Sequence, residues 1–317
     1  MRCLITGGSG FIGREFTCSA LAQGYDIRLA LRQRLAGIES SSVETAEIGD
    51  LSGDTDWTVA LRNVDKVVHL AARVHIMNDR SSDPLGEFRR INVEGSRNLA
   101  HQAALAGVRR FIYVSSIKVN GEFTSSGEAF TADDVPAPVD PYGVSKDEAE
   151  RALRRIASDS GMEVVIIRPP LVYGPGVGAN FASIIRWLLL GVPLPLAAVS
   201  NNSRSLVALP NLVDLMVNCL SHPDAANQTF LVSDGEDLST VDLLRRMGVA
   251  LDKRVRLFPI PTWILKLGAD AINRPGVYQR LCGSLRLDID KTKQYLDWTP
   301  PVSVDEGLRY AVEGLRK

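Results

Sequence analysis

Within its first thirteen residues the chain sets three glycines at a fixed spacing behind a short apolar run. Cys3–Thr6 reads CLIT, and Gly7, Gly10 and Gly13 follow in GGSGFIG. The apolar run reads as a buried strand and the segment after the glycines as a helix. In that context Gly7 permits a tight turn, Gly10 lets the backbone approach a pyrophosphate, and Gly13 allows the helix to pack closely on the strand. The helix N-terminus adds free N–H groups and the positive end of its dipole. A glycine triad alone marks only a flexible turn; placed between strand and helix it predicts a dinucleotide site.

Further short runs rich in Val and Ile follow: DIRLAL (26–31), KVVHLAA (66–72), RFIYVSS (110–116) and EVVIIRP (163–169). They are too short for core helices and read as buried strands. Amphipathic segments lie between them, among them Ile91–Ala106 and Ser145–Ser158. The alternation predicts an α/β fold, a Rossmann-like doubly wound parallel sheet. After Arg168 the texture turns rich in proline and glycine (RPPLVYGPGVG, GVPLPL), and TFLVSD (229–234) is the one further strand expected. The expected organisation is a nucleotide-binding domain over 1–168 with a returning segment near 205–235. Residues 169–204 and 236–317 are then a smaller, partly helical C-terminal substrate lobe over the carboxyl edge of the sheet. ESSSVETAE (39–47) reads as a surface loop.

With 45% hydrophobic and 23% charged residues the chain has the make-up of a soluble globular protein with a real core. A net charge of −1 gives no electrostatic reason to propose a nucleic-acid or membrane partner. Cys3, Cys18, Cys219 and Cys282 are scattered without metal-ligand spacing, and the four histidines form no cluster, so reduced thiols, a cytoplasmic setting and no metal site are expected. The chain enters a strand at once, leaving no room for a signal peptide. The most membrane-like run, Ile184 to Val199, holds Arg186, Pro193 and Pro195 and falls short of the roughly 20 residues a span needs. It reads as a buried helix followed by a loop.

The second strand carries the cofactor question. A dinucleotide fold usually keeps a carboxylate for the adenine ribose about 20 residues beyond the glycines. Here the strand ends in Leu31 and Arg32; Asp26 comes too early, and nothing acidic follows until Glu39. Arg32, supported by Arg34 or Arg14, can instead pair with a 2′-phosphate. NADPH/NADP is therefore the expected cofactor, with NAD as the alternative.

DPYGVSK places Tyr142 and Lys146 four residues apart at a helix start, on one face. A tyrosine with its pKa near 10 is a poor proton exchanger at neutral pH, and a nearby ammonium is expected to lower that value. VSS ends a strand with Ser115 and Ser116, either of which can offer a hydroxyl to a reacting oxygen.

Taken together, TGGSGFIG, GDL at Gly49–Leu51, HLAA at His69–Ala72, NVEG at Asn92–Gly95, VSSIKVNG, YGVSK, RPPLVYGPG and LDWTP resemble the extended short-chain dehydrogenase/reductases, the epimerase/dehydratase family acting on nucleotide sugars. The likeness covers nearly the whole chain. It implies Ser116 as catalytic serine, Tyr142 as proton donor or acceptor, and Lys146 as ligand of the nicotinamide ribose. It implies Phe11, Ile12, Leu70, Ala71, Ala72 and Pro169 as cofactor neighbours, with Asp50 and Leu51 flanking the adenine. On the sugar side it implies Lys118, Asn180, Arg204 on the diphosphate, and Arg280. Two departures stand out: Asn120 replaces a usual tyrosine, and the acid after the second strand is missing.

VSSIKVNGE, PPLVYGPGVGANF and RSLVALPNLVDL look closest to a branch found in bacterial polysaccharide clusters, whose members are often named UDP-glucose 4-epimerases on similarity alone. The implied reaction is NADPH-dependent reduction of the C-4 ketone of a UDP-4-keto-6-deoxy-N-acetylhexosamine, giving UDP-N-acetylquinovosamine or its C-4 epimer. The alternatives are an NAD-dependent UDP-glucose/UDP-N-acetylglucosamine 4-epimerase and a non-catalytic NADP sensor. Relatives of this family dimerise through a four-helix bundle, here Ile91–Ala106 and Ser145–Ser158, so a homodimer is expected.

Overall fold

The computed structural model describes residues 1–33, 42–74, 83–271 and 275–314, with the backbone alone at 179, 180 and 275. Seven parallel strands form the main sheet: β1 (Arg2–Thr6), β2 (Asp26–Leu31), β3 (Val43–Glu47), β4 (Lys66–His69), β5 (Arg110–Val114), β6 (Glu163–Arg168) and β9 (Thr229–Leu231). Their order is β3-β2-β1-β4-β5-β6-β9. Winding reverses between β1 and β4, which opens a crevice at their carboxyl ends. Alternation along β1 shows why the sheet is covered twice. Cys3 and Ile5 pack with Phe16 and Ala20 of the helix Phe11–Ala22 on one face. Leu4 packs with Leu99 and Leu153, from the helices Ser96–Leu105 and Pro141–Ser160, on the other.

The lobe carries a second sheet that the sequence reading did not foresee. It is made of β7 (Leu171–Tyr173), β8 (Arg204–Ala208) and β10 (Asp237–Leu238), in the order β10-β8-β7 with β7 and β8 parallel and β10 antiparallel. Strands of two to five residues next to prolines carry too little periodicity to be read. The lobe's own core gathers Tyr173, Phe181, Ile185, Leu188 and Leu308.

Three other expectations need correction. The stretch 39–47 is not all loop, because Val43–Glu47 pairs in register with Ile27–Leu31 as the sheet's edge. Its charges hid it: Glu44 sits outward and binds the Arg28 guanidinium at 2.8 Å, the kind of polar residue an edge strand uses to block further pairing. The strands expected to reach Ala72, Ser116, Pro169 and Asp234 stop at His69, Val114, Arg168 and Leu231. The residues left over after β4 line the crevice beside the glycine loop, whereas those after β9 reach the lobe, where Asp234 accepts from Tyr173, Ala208 N and Asn211. Finally, the helix expected from Ile91 starts earlier and changes winding, with α-helix at Pro84–Phe88, a π-helical stretch at Arg89–Gly95, and α-helix at Ser96–Leu105. The run from Ile184 does form a helix, Ala179–Leu189, then a loop, but only the helix's inner side is buried. No helix among the described residues is long and apolar enough to cross a membrane.

Candidate active site

The glycine loop has the shape its sequence demands. Gly7 takes a φ of +69°, and a Cβ there would stand 2.8 Å from the Ala71 nitrogen. A Cβ on Gly13 would collide with the Gly7 carbonyl and lie 2.7 Å from Gly8 Cα. Gly10 is the N-cap of the helix Phe11–Ala22; no side chain caps it, and no acid occupies the first turn. The N–H groups of Phe11 and Ile12 therefore open onto the crevice at the positive end of the helix, an arrangement that fits a diphosphate.

Leu70 and Ala71 close the other side of the crevice. Their N–H groups donate to Thr6 Oγ1 at 3.2 and 3.1 Å, and Ala72 follows them in the turn. With its lone pairs so occupied, the Thr6 hydroxyl donates to His69 Nδ1 at 2.6 Å, which leaves Nε2–H to donate to Ser96 Oγ at 2.8 Å. Burial holds His69 down to about 3, so the ring is neutral and serves to fix the ends of β1 and β4. Pro169 follows β6, and its carbonyl accepts from Ile117 N at 3.0 Å.

At the carboxyl end of β2, where the adenine side was expected, Arg32 has its Nε 3.2 Å from Asp50 Oδ1, both side chains exposed at 78% and 79%. Leu51 turns inward against Gly95, where a Cβ would meet its Cγ at 2.7 Å. Arg32 therefore stands where the sequence reading put it, but beside a carboxylate. Arg34 and the side chain of Asn180 lie outside the described residues.

The helix Pro141–Ser160 carries the central pair. Asp140 caps it by accepting from Gly143 N at 2.6 Å, Pro141 opens its first turn, and Gly161 ends it at a φ of +74°. Tyr142 and Lys146 lie one turn apart on the inner face. The two serines have separate fates. Ser115 Oγ donates to the buried Glu150 at 2.6 Å and faces the core. Ser116 caps the turn Ile117–Val119, accepts from Lys118 N at 3.3 Å, and lies near enough to the Tyr142 hydroxyl to favour its ionised form. Lys146 Nζ donates to the Val114 carbonyl at 2.8 Å and lies 4.0 Å from the centre of the Tyr113 ring.

The expected effect of Lys146 on Tyr142 does not dominate. Burial pushes Tyr142 up to about 12, aided by the Asp140 charge and only partly offset by Ser116. Burial also pulls Lys146 down to about 7, against the favourable Glu150 charge, so the amine is only about half charged at neutral pH. The pair is thus a protonated phenol beside an amine poised near neutrality.

Two groups behind this pair escaped the sequence reading. Glu150, one turn beyond Lys146, is buried and takes a two-pronged ion pair from Arg168 at 2.9 and 2.6 Å. Arg168 also donates to Asn120 Oδ1 at 2.9 Å, so the asparagine that replaces the usual tyrosine joins this buried network. Asn92, in the π-helical stretch, clasps both backbone polar groups of Arg73 at 2.8 and 3.0 Å and donates to Ser145 Oγ at 3.0 Å. A charge closing the apolar strand EVVIIR, and a glutamate on the Tyr142–Lys146 face, were the signals available.

On the lobe side, Arg204 donates to the Gly283 carbonyl at 3.0 Å, and Arg280 lies close enough that burial and its like charge together lower the Arg204 pKa. Two cations brought together in this way favour an anion between them. Lys118 is otherwise engaged: its ammonium pairs with Glu122 at 3.0 Å and with Asp140, the cap of the Tyr142 helix.

The profile of the NAD dependent epimerase/dehydratase family matches residues 3–233. A UDP-glucose 4-epimerase of Vibrio cholerae is 46% identical to this chain over 98% of its length and 94% of the relative's. Among solved structures, the UDP-glucuronic acid 4-epimerase of Bacillus cereus in complex with NAD superposes with a TM-score of 0.79 at 20% identity, covering 100% of this chain and 99% of that one. The UDP-glucose 4-epimerase of Thermotoga maritima with UDP-glucose gives 0.78 at 23% identity, over 100% and 99%. At those identities the two structures bear on the fold alone.

Proposed function

Because the chain belongs to the NAD dependent epimerase/dehydratase family, we propose that it acts at C-4 of a UDP-linked hexose, as a UDP-glucose-type 4-epimerase with NAD in the glycine-loop crevice. The observation that carries the substrate is the 46% identity to the Vibrio cholerae enzyme along nearly the full chain. That relative supports the epimerase reading over the C-4 ketoreductase expected from the sequence.

When bound, NAD supplies acceptance and return of a hydride. The chain's own residues supply the rest. Gly7, Gly10, Gly13 and the N–H groups of Phe11 and Ile12 hold the diphosphate, Asp50 and Leu51 the adenine side, and Lys146 the ribose. Tyr142, ionised once the cationic nicotinamide lies beside it, would take the C-4 hydroxyl proton as the hydride leaves and give it back when the hydride returns, and Ser116 beside it would donate to that same oxygen. Arg204 and Arg280 receive the UDP diphosphate and hold the sugar over the crevice. Residues 1–168 serve as the nucleotide half, with the return expected near 205–235 supplied from Leu209 on, after β8; 169–208 and 236–317 hold the sugar. We place a homodimer contact on the helices spanning Ile91–Ala106 and Ser145–Ser158.

The second reading is the NADPH-dependent reduction of a UDP-4-keto-6-deoxy-N-acetylhexosamine. It rests on the end of β2, which offers Arg32 and no carboxylate of its own. Supplying that ketosugar with NADPH separates the two: one NADPH consumed per sugar supports the reductase, and an unchanged NADPH signal supports the epimerase.

A further inference from the structure

Most large apolar side chains on a protein surface are scattered and need no explanation; a cluster does. Here the lobe gathers them on two adjoining segments. On the helix Ala179–Leu189 and the turn after it, Ile185 and Leu188 face the lobe core while Trp187 and Leu190 are 48% and 71% exposed. On the helix Thr262–Ala271 only Ala269 is buried, and Trp263 and Leu267, one turn apart, are 62% and 59% exposed. The two segments are stitched together: Leu194 N donates to the Arg256 carbonyl at 2.9 Å, and Phe258 N to the Leu194 carbonyl at 3.1 Å. Phe258, itself partly exposed, bridges them.

The charges on these segments are mostly basic, the exposed acids being Asp270 at the end of the helix Thr262–Ala271 and Asp252 just before Lys253. No aspartate or glutamate occurs from Ala179 to Ser200 or from Lys253 to Ala269, and the first acids on either side of the second segment are Asp252 and Asp270. Arg186, Lys253, Arg254, Arg256 and Lys266 are all exposed there. A net charge of −1 for the whole chain conceals this local excess. Tryptophans and branched aliphatics ringed by lysine and arginine match the boundary of an anionic bilayer, where indole rings sit at headgroup depth and cations meet phosphates.

We infer that this face of the lobe docks peripherally on an anionic phospholipid surface. The apolar side chains enter the headgroup boundary without spanning it, and the cations select negatively charged lipid.

The test is co-sedimentation of the full chain with vesicles of phosphatidylcholine alone, and of phosphatidylcholine and phosphatidylglycerol in roughly equal parts. Binding is expected to the second and not the first, and to weaken with salt. Each cation lost should reduce partitioning about fivefold, so Arg256→Glu with Lys266→Glu should abolish it. Trp263→Ser with Leu267→Ser should do the same, both pairs keeping the circular-dichroism spectrum of the folded chain. No binding to the mixed vesicles, or binding that both pairs of variants leave intact, would overturn the inference. So would self-association abolished by Trp263→Ser in a chain that ignores vesicles, which would assign the face to a second copy.

Discussion

Arg32 and Asp50 meet across the ends of β2 and β3, Nε to Oδ1 at 3.2 Å, where the proposed function sets the adenine ribose. The cation that would attract a 2′-phosphate is thus tied to a carboxylate that would repel one. Neither side chain is buried, so the balance is small and screened. Asp50→Asn should shift binding toward NADPH relative to NADH, and Arg32→Ala should shift it the other way. Each effect should be within about fivefold, as expected of an exposed pair. Fluorescence titration of both dinucleotides checks this; equal effects on both would detach the pair from the 2′ position.

Tyr142→Phe keeps the ring against Phe88, 5.9 Å between centroids, and removes only the hydroxyl. Turnover should fall by about 10²–10⁴-fold while dinucleotide binding holds. Ser116→Ala, which removes one hydrogen bond, should cost less. Near-normal turnover of the Tyr142 variant would remove it from the chemistry.

Lys146 links activity to stability. Its pKa drops from the ordinary 10.5 to about 7 in the fold, so between those values the unfolded chain binds the extra proton. Stability therefore rises with pH across that window, and the penalty is fully present below about 7. Lys146→Met should abolish turnover yet raise the melting temperature at neutral pH, the gain shrinking toward pH 10. A gain independent of pH would point to packing instead of charge.

Arg204→Ala should weaken UDP-sugar binding by about ten- to a hundredfold, the worth of a charge-assisted bond to phosphate, and leave the dinucleotide unaffected. Combining it with Arg280→Ala should give a non-additive loss if one diphosphate spans both. Additive losses would mean that the two arginines act apart.

The sheet and the Tyr142–Lys146 pair were legible because each rests on local spacing: glycines behind a strand, alternation of apolar runs, four residues along a helix. What escaped depends on partners distant in sequence. Val43–Glu47 looked like loop because Glu44 finds its arginine on β2. Spacing alone did not tell Ser115 from Ser116; the family resemblance picked Ser116, and in the fold Glu150 claims Ser115. The lowering of the Tyr142 pKa expected from Lys146 failed for a similar reason, because burial is a property of the assembled crevice and weighs on both groups.

The central claim is tested most directly by giving the protein UDP-glucose deuterated at C-4, with no reductant, and following the sugar by proton NMR. UDP-galactose that keeps the deuterium at C-4 is expected, formed without net change in NADH or NADPH. An inert UDP-glucose, from a protein that reduces a UDP-4-keto-6-deoxy-N-acetylhexosamine at one NADPH per sugar, would contradict it.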